Sequence, residues 1–303
     1  MDSGYRAAKE ALAHRIRASA VLDVGGEDGL AFLQGQLTQD VRAMAAGEAR
    51  PAAALSPRGK LVFLSRVVGL DRDRRRLVLP AAQRETSLAH LKKFVIFQKV
   101  EIADRSEDFV RISLFGPAAA GFATPEETVR LPPEGEFSAE LLAPSPRLEA
   151  IEKALERAGS VALESGTAEV LRVEAGRPRF GRDADSSNLA DEVGLDPAIS
   201  TTKGCYVGQE VVARMRTYGR VNRRLVGFRF PEGALAAGTV LKLPEEPEPG
   251  KIEQGRVTSS VESPGFGPIG LGYAFREVPA GDRLVSAVTP ELGAVVTALP
   301  FSG

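Results

Sequence analysis

The feature that most restricts how this chain can fold is a change of pattern partway along it. Up to about residue 215, apolar residues recur at helical spacing in some stretches and at strand spacing in others; from Leu225 onward only short strand-like runs remain, punctuated by glycine and proline. No single helical bundle and no single sandwich accommodates both halves, so the pattern predicts an α+β portion followed by a small all-β domain. Within the second half, Pro244-Glu245-Glu246-Pro247-Glu248-Pro249-Gly250 is too rich in proline to lie inside a regular element.

In the first half, residues 5–19 are expected to form a surface helix and residues 21–24 a short strand ending at Gly25-Gly26. Leu30, Leu33, Leu37 and Val41 recur at spacings of three, four and four, which predicts a helix with Asp28 as its N-cap. Residues 60–70 and 76–79 read as a hairpin turned by Asp71-Arg72-Asp73-Arg74, and residues 84–94 as a helix with its stripe on Leu88, Leu91 and Phe94. Residues 100–103 and 109–115 read as strands. The stretch between Pro132-Pro133 and Pro144-Ser145-Pro146 has weak patterning and is taken as a connection. Leu148, Ile151 and Leu155 then mark a helix stopped by Gly159, and a further helix carries Val170, Leu171 and Glu174.

With 303 residues, 43% of them apolar, the chain can bury about three quarters of its unfolded surface in two or three domains. No run of 18 or more apolar residues without charge offers a membrane span. The first twenty residues interleave Asp2, Arg6, Lys9, Glu10, Arg15 and Arg17 with apolar residues, unlike a signal peptide, and the one cysteine, Cys205, cannot form an internal disulfide. A cytoplasmic protein is expected. Cys205, His14 and His90 are too few for a closed zinc site or an intrinsic iron-sulfur cluster, so any cluster chemistry would need a partner. The net charge of −1 lacks the overall basic footprint of a dedicated nucleic-acid binder.

Gly265-Phe266-Gly267-Pro268-Ile269-Gly270 satisfies a dinucleotide-binding pattern, but Pro268 and the residues after it read as a turn entering a strand, where that chemistry requires a helix. The informative segment is Lys203-Gly204-Cys205-Tyr206-Val207-Gly208-Gln209-Glu210. A helix beginning near Gly208 and the Lys203 ammonium would both favour a thiolate at Cys205; the alternative is an inert buried thiol. Between Lys203 and Arg229 stand seven basic residues (Lys203, Arg214, Arg216, Arg220, Arg223, Arg224, Arg229) and one acid, Glu210, so this stretch is +6 and the remainder −7. It could hold an anionic ligand or an RNA backbone, or simply face water. Glu174 and Glu192, each among apolar or glycine neighbours, could accept a paired hydrogen bond from a ligand with two adjacent N–H donors.

The cysteine segment resembles the signature of the YgfZ family of folate-binding proteins, relatives of the glycine-cleavage T-protein, a tetrahydrofolate-dependent aminomethyltransferase. Further pieces of the resemblance are Phe32-Leu33-Gln34-Gly35-Gln36-Leu37-Thr38-Gln39-Asp40-Val41, Ser56-Pro57-Arg58-Gly59-Lys60, Leu171 to Gly176, Arg223-Arg224-Leu225-Val226-Gly227 and Val257-Thr258-Ser259-Ser260. The resemblance implies an α+β, T-protein-like ring of three domains around a central folate pocket. A discontinuous α+β domain (1–50 and 116–215) would carry the cysteine motif, a second α+β domain (51–115) would be inserted in it, and a β-barrel (220–303) would close the chain.

By the same resemblance Glu192 grips the pterin of tetrahydrofolate or a one-carbon derivative, Glu174 is its neighbour, and Arg223 holds the anionic end. Tyr206 and Gln209 shape the loop, and Lys203 tunes Cys205. One departure stands out: the catalytic aspartate of the T-protein falls at Ser87 in the segment 80–87, and a neutral hydroxyl cannot replace its charge. The expected role is therefore folate-linked maturation or repair of iron-sulfur enzymes, affecting tRNA modification indirectly, with such enzymes or assembly proteins as partners. A folate-dependent aminomethyltransferase or demethylase, and direct RNA binding, are the alternatives.

Overall fold

The computed structural model describes residues 2–132, 139–217, 219, 221–245 and 253–302. Pro133, Arg220 and residues 246–250 of the proline-rich segment thus lie outside the described residues. The chain divides into two compact units, one made of Asp2–Glu164 with Leu195–Ala213, the other of Ser165–Gly194 with Arg214–Gly303.

In chain order the first unit contains strands β1 (Ala13–Arg17), β2 (Ser19–Gly25), β3 (Ala49–Leu55), β4 (Leu61–Gly69), β5 (Arg75–Pro80), β6 (Glu101–Asp104), β7 (Phe109–Phe115), β8 (Val129–Leu131), β9 (Ala139–Pro144) and β10 (Val161–Ala162), with helices α1 (Ser3–Glu10), α2 (Gly29–Gln36), α3 (Arg84–Phe94) and α4 (Leu148–Arg157). They build two five-stranded sheets, ordered β3-β4-β5-β2-β6 and β10-β1-β7-β9-β8. The first sheet buries Leu22, Val24, Phe63, Val67, Leu77 and Leu79 with Phe32, Leu33 and Leu91 of α2 and α3. The second buries Ile112, Leu114 and Leu141 with Ile151 and Leu155 of α4. The β4–β5 turn forms as expected, because Asp71 Oδ1 accepts from the amides of Asp73 and Arg74 at 2.9 and 2.8 Å.

Three expectations are corrected. The helix expected over residues 5–19 stops at Glu10, and Ala13–Arg17 becomes strand β1, because it finds backbone partners on both sides, in β7 and β10. The stripe ending at Leu37 and Val41 is a helix only to Gln36; Asp28 sits at its N-cap, but its carboxylate accepts from Lys99 N at 2.8 Å instead of from the helix. The stretch taken as a connection before Pro144 contains β9, an interior strand paired with β7 and β8.

The second unit holds α5 (Ser165–Glu174) and α6 (Ala190–Val193) and a closed barrel of β11 (Arg223–Arg229), β12 (Val240–Lys242), β13 (Gly255–Ser263), β14 (Gly267–Phe275), β15 (Arg283–Ser286) and β16 (Gly293–Thr297), in the order β11-β14-β13-β12-β15-β16. Strand alternation divides β14 cleanly. Ile269 and Leu271 face outward onto Val173 of α5, whereas Gly270 and Gly272 face the barrel interior, where a Cβ would lie 2.7 Å from Phe230 and 2.8 Å from Phe228. The glycine-rich pattern is therefore a turn and a strand whose missing side chains make room for two phenylalanines, as its proline suggested.

Candidate functional site

In the first unit three separated sequence segments converge. Thr38 donates its hydroxyl to Ala198 O at 2.6 Å and receives the amide of Ala53 at 2.9 Å, while Gln39 Nε2 reaches Pro51 O and Pro197 O. This fixes residues 195–200 against α2's C-terminal turn and β3. Lys203 then folds back, and its ammonium donates to the carbonyls of Gln34, Leu37 and Gln39 at 2.6, 2.6 and 3.0 Å. Those three bonds use all three of its N–H groups. Lys203 thus has a positioning role: its hydrogen bonds go to the chain around α2 and not to Cys205. Burial lowers its pKa to about 8, with Asp40 opposing the fall and Arg42 adding to it.

Beyond Cys205 the chain is pinned again. Val207 N donates to Gly35 O at 3.0 Å, and Gln209 caps the start of α7 (Gln209–Thr217) by accepting from Tyr206 N through Oε1 at 3.1 Å. Gly208 has φ +85°, and a Cβ there would lie 2.6 Å from Ser56 O. Gly59, at the end of the same Ser56 turn, would meet Val211 of α7 at 2.7 Å. Between these anchors Cys205 is exposed. Tyr206 lies beneath the Lys203 ammonium, 5.1 Å from ring centroid to Nζ.

The second unit assembles the other predicted group. Glu192, on α6, is only 7% exposed. Its Oε2 accepts from Asn188 Nδ2 and Leu189 N, both at 3.2 Å, and lies 3.4 Å from Arg223 Nη2; Oε1 makes no hydrogen bond among the described residues. The Arg223 guanidinium lies over the ring of Tyr273, 5.1 Å from its centroid, and Tyr273 donates its hydroxyl to Asp183 O at 2.7 Å. Burial, reinforced by the Glu192 charge, raises the Tyr273 phenol well above its ordinary range, so it stays a neutral donor. Arg223 thus stands at Glu192 itself, on the barrel's outer face.

Sequence reasoning missed what holds this cluster in place. Asp183, 2% exposed, accepts from Arg172 at 2.7 Å, from the hydroxyls of Thr258 and Ser259 at 2.6 Å each, and from Arg179 N at 3.0 Å. Its signal in the sequence is the Val257–Ser260 segment, which supplies both hydroxyls. Glu174 does not join Glu192. It accepts from Ser263 at 2.6 Å, and Ser263 pairs with Gly267, whereas Arg223 pairs with Phe275 at the other end of β14. Eight residues of strand put these two places on the order of 25 Å apart. Ser87, expected where the T-protein has its aspartate, is fully buried and donates to Arg84 O at 3.0 Å.

Around α6 and the first residues of β11, Asp191, Met215, Arg216, Val221, Arg224 and Arg276 line a cavity of about 340 Å³. Among the described residues no group of three or more His, Cys, Asp or Glu is arranged to hold a metal ion, and no helix is long and apolar enough to cross a membrane.

No family model matches the chain. It is 28% identical over 331 residues to an aminomethyltransferase of Rubrobacter xylanophilus, covering 99% of this chain and 86% of that protein. It is 30% identical over 220 residues to the tRNA-modifying protein YgfZ of Colwellia psychrerythraea, covering 67% of each. Among solved structures, the glycine cleavage system aminomethyltransferase T of Bartonella henselae superposes with a TM-score of 0.85 over 99% of this chain and 88% of that one, at 21% identity. The α+β segments and closing β-barrel read from the sequence are thus the fold of that aminomethyltransferase.

Proposed function

The chain belongs to the YgfZ family, relatives of the aminomethyltransferases, and from that premise we propose that it binds a reduced folate, tetrahydrofolate or a one-carbon derivative, and supports the maturation or repair of iron-sulfur enzymes. The observation that carries the folate reading is the buried Glu192 carboxylate, oriented through Oε2 by Asn188 and Leu189 with Oε1 left to accept. An acceptor of this kind suits the adjacent N–H and amino donors of a pterin edge, and a charge-assisted bond there is shape-specific. Arg223, being beside Glu192, serves the same end of the ligand and not the far anionic end. The folate would supply a carrier for one-carbon units; the protein's residues bind and orient it.

Cys205 is the reactive group of this reading. Lys203, Gly208 and Gln209 hold its loop, and the exposed thiol is free to meet an iron-sulfur enzyme or assembly protein. Through enzymes that thiolate tRNA, an effect on tRNA modification would follow without RNA contact. Aminomethyl transfer is the second reading, favoured by the likeness to aminomethyltransferases over nearly the whole chain. It lacks a carboxylate at Ser87 to stabilise developing positive charge.

Calorimetric titration of tetrahydrofolate into the wild type and Glu192→Gln tests the proposal. The substitution keeps the shape and removes the charge, so affinity should fall roughly tenfold or more. Equal affinity in the two proteins removes Glu192 from the pterin, and no binding to either removes the folate reading.

A further inference from the structure

Among the described residues three large apolar side chains stand exposed, and two of them, Ile96 at 69% and Phe97 at 96%, are neighbours at the tip of the loop between α3 and β6. The chain on either side of the tip is rooted, since Val95 and Val100 pack against the core of the first sheet. Lys99 and Asp28 exchange two bonds: Lys99 N donates to the Asp28 carboxylate at 2.8 Å, and Asp28 N donates to Lys99 O at 3.1 Å. Ile96 N donates to Gln98 Oε1 at 3.1 Å and closes the tip. Gly26, with φ +91°, lets the loop approach, because a Cβ there would overlap Lys99 O. A fixed loop thus holds the two apolar side chains out in water.

Charge around the tip is divided. Lys92 and Lys93, in the last turn of α3, are exposed, and neither ammonium has an ion pair or hydrogen bond among the described residues. On the β6 side Glu101 is exposed and equally without one, while Lys99 pairs with Glu27 at 2.6 Å. With Asp28 that makes three charges of each sign. An anionic bilayer would be repelled by as much charge as it attracts, whereas a protein surface can match each sign in its place. We propose that the Ile96–Phe97 tip docks a partner protein, Phe97 entering an apolar pocket whose rim carries acidic groups opposite Lys92 and Lys93 and a basic group opposite Glu101. Aromatic side chains are enriched at the cores of interfaces, and one held in place beforehand loses little freedom on binding. Helix α2 links the tip to the cysteine motif: Asp28 sits at its N-cap, and Gly35 in its last turn accepts from Val207 N. Eight residues of helix set these two mounts about 12 Å apart along its axis, within an interface footprint on the order of 30 Å across. Resting on the reading that an iron-sulfur enzyme or assembly protein meets Cys205, the partner at the tip is that same protein.

The test places the photo-crosslinking residue p-benzoylphenylalanine at position 97 of the full chain in cells, with position 288 as control because Val288 is 89% exposed. Both sites face water, so neither exchange disturbs the fold, and matching unfolding curves check this. The proposal is supported by an adduct between position 97 and an iron-sulfur enzyme or assembly protein that position 288 does not give. Its yield should fall at least about tenfold when Lys92→Glu and Lys93→Glu are added, since like charges would then face each other. An adduct with a second copy of this chain, with lipid or with an unrelated protein overturns it, as does an unchanged yield in the charge-reversed chain. Iron-sulfur enzyme activity in Cys205→Ser cells reads out the parent proposal separately. Activity lost there, with no such adduct at position 97, removes this surface alone; activity kept, with no such adduct, removes both.

Discussion

Two glycines of the cysteine motif, four positions apart, are predicted to respond very differently to the same substitution. At Gly208 the backbone has φ +85°, and an added Cβ would sit 2.6 Å from Ser56 O and 2.9 Å from Leu55 Cβ. The left-handed conformation costs an L-residue about 1–2 kcal/mol, and overlap with backbone that cannot move aside adds about 1–3 kcal/mol. Gly208→Ala should therefore destabilise its unit by about 2–5 kcal/mol, a fall in melting temperature of roughly 4–20 °C at a rate of about 2–4 °C per kcal/mol. At Gly204 nothing lies within 4 Å of the added carbon and φ is not positive. Gly204→Ala should change stability by no more than about 0.5 kcal/mol. Urea unfolding followed by circular dichroism measures both. Losses within about 0.5 kcal/mol of each other would refute the reasoning, since they would show that neither the backbone angle nor the Ser56 contact governs the motif.

Asp183→Ala should cost about 3–5 kcal/mol in thermal unfolding, because it strips a buried arginine, two hydroxyls and an amide of one shared acceptor; a loss under about 1 kcal/mol would show that the network is not structural. His90, packed edge-on to Phe63 with its buried Nε2 unbonded, has a pKa lowered from 6.5 by burial and by Lys93. As pH falls below 6.5 the unfolded chain takes up the proton first, so stability declines from that point down through the lower folded value. Unfolding curves at pH 7.5 and 5.5 should show a smaller decline in His90→Leu than in the wild type, and equal declines would contradict the assignment.

Much of this fold was legible because its patterns are local. The β4–β5 hairpin follows from apolar runs around an aspartate-rich turn, and the barrel from short strands between glycines. What was illegible depends on distant partners. In a continuing helix Thr38 N would bond to Gln34 O; instead it bonds to Ala53 O, and Gln34 O accepts from Lys203, 169 positions away. Leu37 and Val41 stay buried without helical backbone, so the stripe was real and its cause misread. Strand β9 was hidden by Glu140, which looks like a surface residue but is fully buried and paired with Arg17 at 2.7 Å across the sheet. Glu192 and Cys205 stood out by chemistry, whereas the separation of Glu174 from Glu192 follows from strand register, which no spacing along the chain encodes.

The anchoring of the motif on both flanks of Cys205 makes the sulfur a replaceable tip on a fixed mount. Since it is exposed and the fold draws no bond from it, exchange for serine should leave the unfolding curve where it was. Failure of Cys205→Ser cells to recover iron-sulfur enzyme activity would then report lost reactivity, undiluted by misfolding; full recovery would show that the thiol is dispensable.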